Sequence, residues 1–172
     1  MTPEKRIRRV ALLCCHCLRN IAFYRAGWRR GKLRVNIQFW VHNNSNCIDV
    51  AVLEWCKLFT ERDGKHHWKA VVTDRERFRS GLEKALGLSW EEFCRYALDT
   101  VLEYRDTFVA HLDEEDTMYP PRLRLMRKSV AYLYRYIFEN EAKPGVLADA
   151  TPPAQYYSVF YRHAWAQYTR ET

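Results

Sequence analysis

SWEEFCRYALDTVLEYRDTFVAHL, residues 89–112, decides the fold. Ser89 and Glu92 have the spacing of a capping box, in which a hydroxyl and a carboxylate reciprocally satisfy free backbone amides at a helix start. Behind it, Trp90, Phe93, Ala97, Val101, Tyr104 and Phe108 recur in steps of three and four, which places them on one face of a helix. The helix should stop near Leu112, because the acidic run 113–116 would sit badly at the negative end of a helix dipole.

The same grammar extends in both directions. Ile7, Val10, Cys14, Cys17, Ile21, Tyr24 and Trp28 form one stripe, with Gly31 as its stop. Ile37, Val41, Asn44, Ile48, Ala51, Trp55 and Leu58 form a second, whose polar patch at residues 43–46 marks either a kink or buried hydrogen bonds. Residues 60–72 turn polar around Gly64 and read as a loop. Thr73 with Glu76 has capping-box spacing for a short helix carrying Phe78, Leu82, Ala85 and Leu86, stopped by Gly87. Pro120 and Pro121 open a helix with Leu123, Met126, Val130, Leu133 and Ile137 inward, and Thr151 to Pro153 opens a last one with Tyr157, Phe160, Ala164 and Tyr168 inward. No convincing alternating strand, internal repeat or glycine-rich phosphate loop is present. The expected fold is all-α, one helical bundle over residues 1–172.

Composition agrees with one folded domain. The chain has 172 residues, 48% hydrophobic and 28% charged, which excludes disorder and two enzyme-sized domains. No apolar run approaches the ~18 residues of a membrane span. The basic start Lys5, Arg6, Arg8 and Arg9 ahead of Val10 imitates a leader, but His16, Arg19 and Asn20 interrupt the apolar stretch, so a mature N-terminus is expected. Six cysteines, three of them crowded at positions 14, 15 and 17, do not resemble a disulfide framework, and reduced thiols in a cytoplasm fit better. Cys14 and Cys17 flank His16 as a possible pair of zinc ligands, but no second pair completes a site, so neither metal nor cofactor is expected.

The 28 Lys and Arg outnumber the 21 Asp and Glu by seven, and twenty of them are Arg, whose planar fork matches phosphate oxygens. RNA, DNA or a nucleotide is therefore the partner class to test first. Arg122, Arg124, Arg127 and Lys128, on the polar side of the penultimate helix, are the candidate RNA contacts. Arg29, Arg30, Lys32 and Arg34 make a second basic cluster, and His66, His67 and Trp68 could stack bases or simply anchor a loop.

The sharpest chemical signal is Arg105 followed by polar Asp106, an aliphatic filling, small Ala110 and then His111. Arg9 with His16 and Arg62 with His67 have similar spacing, but only Arg105 and His111 share a capped amphipathic helix. In this segment the chain resembles the HEPN superfamily, specifically small bacterial HEPN proteins of abortive-infection and toxin–antitoxin type. The resemblance covers residues 105–113, supported by the helical plan and by Leu58 to Trp68. It implies an antiparallel bundle of about five to six helices that dimerises, with a protein antitoxin as a further possible partner. It also implies, for many members, a metal-independent endoribonuclease built from the Arg and His of both subunits. His111 would move the proton, Arg105 would stabilise the phosphorane, and Asp106 would orient the Arg or bond the His. Toxins of this type that their antitoxins adenylylate carry Tyr two residues after the His, whereas this chain has Asp113. The alternative is a catalytically silent HEPN protein that binds nucleotide or RNA, or a dimeric scaffold.

Overall fold

The computed structural model describes residues 1–61, 63–110 and 120–171. The chain forms an all-α bundle. Its helices are α1 (Pro3–Ala26), α2 (Gln38–Phe59), α3 (Arg75–Leu86), α4 (Trp90–Tyr96), α5 (Leu123–Tyr136) and α6 (Pro153–Arg170), with one ribbon, β1 (Trp28–Arg29) against β2 (Lys32–Leu33). α1 is the central post, contacted by α2, α5 and α6, while α3 packs on α5. Val10, Cys14, Cys17, Leu18 and Ile21 of α1 are fully buried, facing Trp55 and Leu58 of α2 and Leu133 and Tyr134 of α5 in one continuous core. None of the helices formed by the described residues is long and apolar enough to cross a membrane.

The Ser89–Glu92 capping box forms as expected: Ser89 Oγ accepts from the Glu92 amide, and the Glu92 carboxylate accepts from Ser89 N at 2.7 Å. α3 starts one residue later than its expected box. Asp74, not Thr73, caps it by accepting from Arg77 N at 3.0 Å, because Thr73 donates both its amide and its hydroxyl to Glu141. Gly87 closes α3 in the left-handed conformation, φ 71°, as a glycine C-cap should.

Two features depart from the sequence reading. α4 continues beyond Tyr96 through wider π turns at Ala97–Leu102 and Arg105–Ala110, and α5 does so at Ile137–Glu141. A stripe spaced three and four apart predicts regular turns throughout, and nothing local in it marks where wider bonding sets in. Trp28 also leaves the helical stripe: α1 stops at Ala26 and the chain folds into a hairpin, pairing Trp28 with Leu33 and Arg29 with Lys32.

The polar patch of α2 resolves into buried hydrogen bonds. Asn44, 2% exposed, donates to the Tyr24 carbonyl at 2.9 Å and to the Tyr168 hydroxyl at 3.1 Å, and accepts from Trp28 Nε1 at 2.9 Å. One amide thus ties together α1, the hairpin, α2 and α6. Gly27 has to lack a side chain there, since a Cβ would collide with Asn44 Nδ2 and come within 2.9 Å of Tyr168. Ala26, Val35, Ala164 and Tyr168 make a small second core at this end.

Candidate functional site

Arg105 stands on the wide turns that prolong α4, where they pack on α2. Its Nε and Nη2 both meet Asp106 Oδ1, at 2.8 and 2.7 Å, while Nη1 faces Glu61 Oε1 at 3.7 Å. One edge of the guanidinium is therefore fixed by its sequence neighbour. The other edge looks at a carboxylate beyond hydrogen-bond distance, just past the C-terminus of α2. Burial works against the Arg105 charge, but the Asp106 hydrogen bond and the neighbouring Cys56, Asp106 and Glu61 outweigh it and hold the pKa above its ordinary value. The side chain is 24% exposed, so an anion can reach it, yet one cation here faces two carboxylates.

Next along the chain, Tyr104 turns the opposite way and donates to Asp49 of α2 at 3.2 Å. Burial raises the Asp49 pKa, and the Tyr104 hydrogen bond only partly offsets it. Burial likewise pushes the Cys56 thiol up to about 11, which leaves it neutral and poorly nucleophilic at physiological pH. Glu61 and Asp49 were not found from sequence. Both lie far along the chain from Arg105, and no local pattern announces a partner across two helices.

His111 lies outside the described residues, as do Arg62 and residues 112–119.

The basic residues of α5 divide into two kinds. Arg127 lies over the Tyr157 ring at 4.8 Å with a buried Nε, and Lys128 donates to the Ala85 carbonyl at 3.2 Å in the last turn of α3. Both serve packing. Arg122 and Arg124 are exposed, and the Arg122 carbonyl accepts from Tyr96. Trp68 is 1% exposed and stacks on Phe78 with ring centres 4.7 Å apart, and His67 is buried beside it, so that loop anchors to the core and Trp68 offers no face to a base. Cys14 and Cys17 are fully buried, with burial pushing both thiols well above the ordinary range. Among the described residues no group of three or more His, Cys, Asp or Glu is placed to hold a metal ion.

No protein-family model, no curated protein and no solved structure matches this chain.

Proposed function

We propose that the protein is an RNA-cleaving enzyme of HEPN type, a metal-independent endoribonuclease acting as a homodimer. The observation that carries this reading is the oriented Arg105. Asp106 occupies its Nε and Nη2, and Nη1, which faces Glu61 beyond hydrogen-bond distance, is left for a phosphate oxygen. In this chemistry a proton leaves the ribose 2′-hydroxyl, that oxygen attacks the adjacent phosphorus, and the 5′-oxygen departs with a proton. A cyclic 2′,3′-phosphate remains. Arg105 would stabilise the charge on the phosphorane and His111 would carry the proton. A dimer suits the reading for two reasons. Glu61 and Asp106 leave the surroundings of Arg105 short of positive charge within one subunit, and Val50, Leu53 and Leu98 are exposed apolar side chains on the same two helical segments. Growth arrest or phage defence in the cytoplasm, with a protein antitoxin, is the setting such an activity would have.

A second reading, a catalytically silent protein that binds RNA or nucleotide or serves as a dimeric scaffold, is favoured by the same two carboxylates, which already neutralise Arg105. Incubating mixed RNA with the full chain in EDTA separates the two. The first reading expects cyclic phosphate ends and a loss of about 10²- to 10⁴-fold in rate on His111→Ala, the range typical of a general acid or base. Cleavage that requires added divalent metal, or that survives in H111A, would overturn the mechanism.

A further inference from the structure

Beyond the N-terminus of α2 the hairpin builds a different kind of surface. Its two-residue loop is Arg30–Gly31, with φ 50° at Arg30 and 78° at Gly31. Positive φ at both central positions is the signature of a type I′ turn, which favours Asn or Asp followed by Gly. Arg30 is the only non-glycine residue with positive φ among the described residues. An arginine in that conformation carries a steric cost that Asn largely escapes. The turn thus holds a long cation at its tip in spite of local preference, which points to a use for the cation.

Its surroundings indicate the use. Arg29, Arg30, Lys32, Leu33 and Arg34 line a cleft of about 660 Å³ together with Trp165 and Thr169 of α6. Among the described residues no carboxylate lines it and none of its four cations is ion-paired. Trp165 is 44% exposed although it is the largest side chain on that stretch of α6. Arg34 lies over its ring at 5.7 Å, and Arg34 Nε is anchored on the Ala26 carbonyl at 3.0 Å. The indole therefore has one face against a fixed guanidinium.

We infer that the hairpin and Trp165 form a binding surface for single-stranded nucleic acid, with phosphates on Arg29, Arg30 and Lys32 and a base stacked on the indole. Cations alone would serve any polyanion. The exposed ring among them adds what an unpaired base offers and a duplex hides, namely an aromatic face. The choice of RNA over DNA rests on the proposed function, but the surface itself does not require cleavage.

The test uses the full chain in EDTA and a fluorescent 2′-O-methyl oligouridylate of about twelve nucleotides, within the span that single-strand binders cover. That probe lacks the free 2′-hydroxyl through which cleavage would run, so binding is read without turnover. Arg30→Asn should make the negative slope of log K against log salt shallower by about 0.7, as for one lost phosphate contact on a single strand. R30N should also unfold at a higher denaturant concentration than wild type, so its weaker binding cannot come from misfolding. Trp165→Leu should weaken binding about fivefold to a hundredfold, and Trp165→Phe should recover most of that. Wild-type binding in both R30N and W165L would overturn the inference. Equal competition by polyglutamate of matched charge would also overturn it, and would reassign the surface to an acidic protein partner. RNA cleavage without hairpin-dependent binding sinks this inference and leaves the proposed function standing; hairpin-dependent binding without cleavage does the reverse.

Discussion

The two ends of α2 handle positive charge in opposite ways. Near its C-terminus Arg105 is held between Asp106 and Glu61. Roughly 30 Å away, by the rise of a 22-residue helix, four cations crowd a hairpin with no carboxylate among the described residues lining their cleft. The first arrangement fixes a guanidinium in direction but weakens its pull on an incoming anion. The second keeps the pull and tolerates self-repulsion and a strained turn to do so. A protein that handles a polyanion has reason to divide these tasks: attract along a broad uncompensated surface, and orient at a point where a single charge must be aimed.

The comparison breaks most readily at the root of the hairpin. Asn44→Ala removes the acceptor of Trp28 Nε1 and the donor to Tyr24 O and Tyr168 Oη. Leaving such buried groups unpaired should cost about 2–4 kcal/mol in urea unfolding. Amide exchange in the hairpin should accelerate more than exchange near Arg105. A loss under about 0.5 kcal/mol, or uniform loosening, would show that the hairpin end is not held by this amide.

A smaller effect probes the compensated end. Glu61→Gln removes one of the two carboxylates at Arg105 and should tighten inorganic phosphate or RNA binding there by up to about fivefold, the scale of a partly exposed ion pair. Unchanged or weaker binding would mean that Arg105 does not meet the anion. In R30N the same substitution should act undiminished, because the two ends are too far apart to couple directly.

The smallest effect is a pH dependence at Asp49. Burial raises its folded pKa above the ordinary value of 3.8. The folded state therefore prefers the protonated acid, and wild type gains stability from this group as pH falls through the raised pKa towards 3.8. Asp49→Asn, which keeps an acceptor for Tyr104, should stabilise the protein at neutral pH, with the advantage vanishing below about pH 4. A constant difference between the two proteins from pH 7 to 3 would assign the effect to packing instead.

Legibility in the sequence followed the range of the interactions. The Ser89–Glu92 box and the Gly87 stop are settled within one helical turn, and they formed where the pattern put them. Thr73 failed as a cap because Glu141, 68 residues away, competes for its hydroxyl. The hairpin escaped because strands of two residues cannot display an alternating pattern and Arg30 occupies a turn position that normally advertises itself with Asn or Asp. Asn44 was visible as a polar interruption in an apolar stripe, but only the packed bundle gives it three partners. At the candidate site, Arg105 and Asp106 were readable as neighbours, whereas Asp49 arrives from α2 and Glu61 from just past its end.

The position of α1 also governs how the molecule comes into being. It is made before the other five helices of the bundle, and it contacts α2 early but α6 only when residues 153–170 have been made. Until then Phe23 lacks Phe160 and the Asn44 amide lacks the Tyr168 hydroxyl, so the hairpin end cannot close before α6 is made. At ~5–20 residues per second, the nascent chain carries an unfinished apolar face for several seconds after α2 emerges. That interval is when a chaperone, or a second copy made on the same message, would meet it.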